Sequence, residues 1–235
     1  MQLRIVVAAV VAIGLSGATA AGADTGSIKG TVLFEGEPPE RAQVVRDSDP
    51  YCAKTPKLSE DVVVDHGKLK DVLVRIKNGT MGDHKAPADP VVIDQKDCMY
   101  TPRVVGIMAG QRIAVRNSDG TFHNVSGIVN KKTLWNKAQP AHAHDLLFDG
   151  AKADDVVELQ CNTHDWMHAW LPVQDHPFFA VTAADGTFTI TGIPQGTYTL
   201  EAWHPKLGTK TLQVVIGKGG RANVTARFSY KRSEM

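Results

Sequence analysis

Almost every periodic segment of the chain repeats with a period of two. Side chains two apart in an extended strand point to the same face, so alternation of apolar and polar residues marks a half-buried strand. Residues 28–34, 71–77, 91–95, 104–108, 112–116, 155–161 and 169–173 read as strands, as do 178–182, 187–191, 197–203, 209–216 and 222–229. Turn residues separate many of them, as at Asn78-Gly79, Asn117-Ser-Asp-Gly120, Ala184-Asp-Gly186 and Gly217-Lys-Gly-Gly220. After residue 23 no apolar stripe has the period and length of a helix. Many short strands with Gly/Pro turns predict an all-β sandwich. Residues 40–60, broken by Pro50 and Pro56, and residues 79–90 read as loops. Residues 128–150 form a long polar segment with little periodicity.

The first residues are a separate matter. Arg4 precedes a charge-free run over 5–23, and both Ala18-Thr-Ala20 and Ala21-Gly-Ala23 suit cleavage. That pattern is a secretory signal peptide over 1–23, implying a periplasmic or secreted protein. An uncleaved anchor is the alternative, disfavoured by the Gly, Ser, Ala and Thr content of its second half. Without Arg4 the basic and acidic residues balance, so charge gives no sign of nucleic-acid or anionic-membrane partners.

Three cysteines in an exported chain imply one disulfide and one thiol with another task. Cys52 and Cys98 are the natural pair, because Cys161 stands among metal-type ligands. Pairing of Cys161 with either of the others would leave no thiolate for a metal.

Cys161-x2-His164-x2-Met167 places a thiol, an imidazole and a thioether within seven residues. Val157, Leu159 and Cys161 are in phase, as are Met167, Ala169, Leu171 and Val173. If the aliphatic members are core, Cys161 and Met167 point inward at adjoining strand ends. His123 and Val125 share a face after the turn at 117–120. Two imidazoles and a thiolate with a weak thioether match the donor set of a mononuclear copper centre. The competing readings of Cys161 are an inert core thiol, a nucleophile paired with His164, and a zinc ligand. Zinc would call for another thiolate or hard donor in place of Met167. His142 and His144, in Ala-His-Ala-His, are candidates for a second metal site or plain loop residues. No paired carboxylates suggest acid–base catalysis, and a multicopper oxidase would need more His-x-His clusters, so the chain does not read as an enzyme.

Two resemblances carry further expectations. The stretch 109–125, with Gly110-x-x-Ile-x-Val-x-Asn117 ahead of His123-Asn-Val125, resembles the first-histidine segment of plastocyanin-type cupredoxins. Residues 161–167 are similar to the compact ligand loop of amicyanin-type cupredoxins, with Thr163 and Asp165 where those have Pro. The resemblance, over roughly 88–176, implies a Greek-key sandwich holding one type 1 copper ion for electron transfer with a redox partner protein. It implies His123, Cys161 and His164 as strong ligands, Met167 as the axial one, and Asn124 as the residue that fixes the loops by hydrogen bonding. It further suggests the exposed edge of His164 as the electron port. A copper carrier or sensor with the same ligands, or a binding module with a vestigial site, are the other readings.

The second resemblance rests on Asp185-Gly-x-Phe-x-Ile-x-Gly-x-Pro-x-Gly-x-Tyr-x-Leu200, which looks like the carboxypeptidase regulatory-like, transthyretin-like β-sandwich. Residues 26–36 look like that module's first strand. The combination resembles exported bacterial methylamine-utilisation-like proteins. The expected organisation is a signal peptide over 1–23, N-terminal strands over 24–78, a cupredoxin-like domain over 79–176, and a regulatory-like portion over 177–235.

Overall fold

The computed structural model describes residues 25–77, 82–217 and 223–231. The charge-free run 5–23, the Asn78-Gly79 turn and most of the 217–220 turn lie outside the described residues. The chain forms β1 (Thr25–Glu35), β2 (Val64–Asp65), β3 (Lys68–Leu69) and β4 (Leu73–Ile76), then β5 (Val91–Lys96), β6 (Met99–Thr101), β7 (Ile107–Met108) and β8 (Ile113–Asn117). Next come β9 (His123–Val129), β10 (Lys132–Gln139), β11 (Leu146–Phe148), β12 (Val156–Gln160) and β13 (His168–Gln174). β14 (Phe179–Val181), β15 (Thr187–Pro194), β16 (Gly196–His204), β17 (Gly208–Ile216) and β18 (Asn223–Lys231) follow. A 3-10 turn at Cys52–Lys54 is the one helical element among the described residues. None of these residues forms a helix long and apolar enough to cross a membrane.

The strands make two sandwiches, each with its own core. In the first, the sheet β15-β1-β3-β2, with β18 parallel to β1, faces the sheet β14-β4-β16-β17. Ile28, Val32, Val74, Ile76, Phe188, Leu200 and Tyr230 lie between them. The second packs β11-β8-β5-β6 on β10-β9-β12-β13-β7 around Ile93, Tyr100, Val115, Val125, Leu159 and Leu171. Its chain passes repeatedly from one sheet to the other, as a Greek-key sandwich requires. β1 and β4 complete the sheets of the C-terminal strands, so residues 91–174 form a sandwich inserted between strands of the first.

Strand phase explains the second core. Val157, Leu159 and Cys161 are buried, as are Met167, Ala169, Leu171 and Val173, and Ile113, Val115 and Asn117. Two sequence expectations need correcting. The polar segment 128–150 contains the end of β9, all of β10 and β11. β10 is an edge strand whose residues are mostly exposed, so it has no apolar face to read. The strand expected over 104–108 shrinks to Ile107–Met108, with a lone bridge from Val104 to Trp170. The short β2, β3 and β6 carry too few residues to show a period.

Candidate metal centre

Three donor atoms meet at one end of the second sandwich. His123 opens β9, Cys161 follows β12, and His164 stands in the turn that leads to β13. His123 Nδ1 and His164 Nδ1 are 3.0 Å apart. Cys161 Sγ lies 3.9 Å from the first and 3.6 Å from the second. All three side chains are buried, and one donor atom from each lies within 4.8 Å of the others.

The turn is built by its own backbone. His164 N–H donates to Cys161 O, Met167 N–H to His164 O, and Cys161 N–H to Met167 O. The loop is thereby closed between β12 and β13, with Met167 fully buried at its exit. The entry to β9 is fixed by Asn117, whose Nδ2 donates to Thr121 O, Gln139 O and Pro140 O. Its Oδ1 accepts Asp119 N–H, which sets the turn ahead of His123.

Both imidazoles turn their other nitrogen to a carboxylate. His123 Nε2 is 2.9 Å from Asp119 Oδ2, and His164 Nε2 is 3.0 Å from Asp49 Oδ2. The Nδ1 atoms are therefore the ones that face the thiol. Electrostatics follow from this. Burial pushes the Cys161 thiol up, but hydrogen bonds from His123, His164, Thr163 and Asn124 outweigh it and bring the pKa to about 5. Burial pushes His123 down, while Asp119 and the Cys161 sulfur hold it above its ordinary value. Asp119 and Asp49 stay below the usual carboxylate range because hydrogen-bond donors overcome their burial.

Cys52 and Cys98 form the disulfide, and Cys161 is the free thiol. The half-cystine sulfur of Cys52 lies 3.8 Å from His164 Nε2, so the disulfide abuts the site. Closing that loop contributes about 4 kcal/mol on the chain-entropy estimate.

Asn124 reaches the site through its backbone, whose N–H donates to Cys161 Sγ at 3.4 Å. Its side chain turns away to Asn136 Oδ1 and Lys137 O on β10. The edge of His164 expected as an exposed port is covered: the side chain is 4% exposed, capped by Asp49. Trp166 is tilted against the same imidazole at 5.0 Å and donates to Cys98 O. His142 and His144 sit exposed ahead of β11, in none of the His/Cys/Asp/Glu groups found among the described residues.

Asp49 and Asp119 are the residues sequence reading passed over. Both stand in polar turns, where a carboxylate looks solvated. The available hint was their spacing, three residues before Cys52 and four before His123.

A protein-family model for the β-sandwich domain of ER membrane protein complex subunit 7 matches residues 160–235. The match starts at the end of β12, so it takes in β13 as well as the C-terminal strands. No curated protein matches the chain. Amicyanin from Paracoccus versutus is a similar solved structure at 17% identity, covering 43% of this chain and 97% of that one with a TM-score of 0.32. A copper-containing nitrite reductase from Thermus scotoductus is similar at 16% identity, covering 37% of this chain and 23% of that one with a TM-score of 0.30.

Proposed function

We propose that this chain is an exported, non-enzymatic protein that holds one mononuclear (type 1) copper ion and passes electrons to a redox partner protein. The carrying observation is the convergence of His123 Nδ1, His164 Nδ1 and Cys161 Sγ within one buried cluster. Two imidazoles and a thiolate suit both oxidation states of copper, and the thiolate is available because its pKa lies well below neutrality. Met167, buried at the loop exit, would supply the thioether as a fourth, weaker donor. The bound ion would supply a one-electron couple. The protein's part is to fix the donors in advance on β9 and the closed β12–β13 turn, so that little needs to move between states.

The disulfide fits an oxidising compartment, periplasmic or extracellular, and residues 1–23 would be the export signal. Membrane association would require that segment to remain uncleaved. The first sandwich, with its regulatory-like motif, would serve as the supporting module. A second reading, copper carriage, is favoured by one observation: the rings of His123 and His164 are both buried, so neither ligand imidazole presents an exposed edge as a port.

Loading the purified protein with Cu(II) and recording visible and EPR spectra tests both. An intense thiolate-to-copper band with narrow hyperfine splitting is expected, and Cys161→Ser should abolish it. Tight colourless Cu(I) binding with no such band would favour carriage. Colour that survives Cys161→Ser, or no copper binding at all, would overturn the site.

A further inference from the structure

The two carboxylates behind the imidazoles are each held from their own far side. Asp119 accepts Asp97 N–H at 2.7 Å and Cys98 N–H at 2.8 Å. Asp49 accepts Tyr51 N–H, Cys52 N–H and the Thr121 hydroxyl. The Cys52–Cys98 bond joins the two turns that supply these amides. Thr121 belongs to the same turn as Asp119, so Asp49 also reaches the Asp119 turn directly. Two carboxylates, two turns and one disulfide thus form a continuous piece of structure against the rear edges of both rings.

We infer that Asp49 and Asp119 are positioning residues of the metal centre, which hold Nδ1 of both histidines toward Cys161 and strengthen those rings as donors, with the Cys52–Cys98 disulfide locking the pair as one unit. The inference rests on the copper reading above. A neutral imidazole carries one proton. A carboxylate at Nε2 keeps that proton there and leaves the Nδ1 lone pair for the metal. Negative charge behind the ring raises its basicity, and the gain is larger for Cu(II) than for Cu(I) because the ion's charge is larger. The pair therefore lowers the potential as well as tightening binding. A purely structural role would change stability and leave the balance between oxidation states alone.

The test compares wild type with Asp49→Asn, Asp119→Asn and the double variant, which keep the shape of the side chain and remove its charge. Cu(II) and Cu(I) affinities are measured by competition with chelators, the potential by voltammetry, and the ring-nitrogen states of the Cu(I) protein by heteronuclear NMR. Each single variant should weaken Cu(II) binding by about 10–100-fold. Each tenfold loss selective for Cu(II) raises the potential by about 59 mV. The double variant should fall short of the product of the singles, since both carboxylates belong to one unit. In wild type, NMR should show both rings protonated at Nε2 and ligated through Nδ1.

A wild type that binds no copper overturns the copper reading itself. A wild type that binds copper, with variants unchanged in potential, overturns only the role given to Asp49 and Asp119. Should the variants not fold, ligation through Nε2 in the wild-type NMR overturns it equally.

Discussion

At Cys161, burial and hydrogen bonding pull in opposite directions, and the hydrogen bonds win. Desolvation favours the thiol, yet His123, His164, Thr163 and the Asn124 N–H all favour the thiolate, leaving the pKa at about 5. A thiol whose pKa is lower folded than unfolded adds stability that is complete above the unfolded value, about 8.5 for a free cysteine. That stability falls as pH drops through the window down to about 5. In the metal-free protein, ultraviolet thiolate absorbance should therefore titrate with a midpoint near 5. A midpoint in the ordinary range of free cysteine would mean that the imidazoles do not reach the sulfur. How much of this was legible differs residue by residue. Spacing brought Cys161, His164 and Met167 forward, and strand phase aimed Cys161 and Met167 inward. Asp49 and Asp119 stayed hidden because nothing local distinguishes a buried carboxylate in a polar turn from a solvated one. Their partners are 115 and 4 residues away in sequence, and only folding brings the first pair together.

The elements show a similar division. Alternation marks strands with one wet face, and it located most of the long ones. It failed for β2, β3, β6 and β11, each of two or three residues, and for β10, whose side chains are mostly exposed. Three tight hairpins were also unreadable by the usual signal. Type I′ turns take positive φ at both central residues and favour Asn-Gly or Asp-Gly. Here the pairs are His66-Gly67, Asp97-Cys98 and Asn130-Lys131. Asp97 and Cys98 hold this conformation where Asp119 accepts both their amides and the disulfide anchors the second. The third hairpin joins β9 to β10, where Trp135 lies over Gly127 and stacks on Phe148 at 3.8 Å. A Cβ on Gly127 would stand 2.4 Å from the indole of Trp135, far inside contact distance. Gly127→Ala should therefore destabilise the protein by about 1–3 kcal/mol through overpacking, read as a lower urea midpoint. An alanine variant as stable as the parent would mean that the indole moves aside freely, and that the hairpin is not pinned by this contact.

Over the whole molecule, the question is whether the two sandwiches act as one. β4 gives the first indication. Val74 and Ile76 enter the core of the first sandwich, yet Leu73 is equally buried without belonging to it. Leu73 and Phe179 pack against Gly106 of the second sandwich, where an added Cβ would stand 2.5 Å from Phe179 and 2.9 Å from Leu73. Beside this apolar contact, Arg75 donates to Glu201 within its own sheet and to Asp154 and Gln174 across the junction. Arg103 lies over Trp170 and donates to Asp61. The segment leading from β1 joins both cores, with Tyr51 and Cys52 against the second and Val62 in the first. The metal centre draws on that segment through Asp49, so ion binding at one end should be felt by both sandwiches. Calorimetry should accordingly show a single unfolding transition whose midpoint rises with copper by mass action, since the ion binds the folded state. Gly106→Val drives a wedge into the junction at a cost of about 1–3 kcal/mol and should split the transition in two. Only the component containing the second sandwich should then respond to copper. One undivided transition at a lower midpoint, still raised by copper, would instead assign the coupling to Arg75, Arg103 and the segment that carries Asp49.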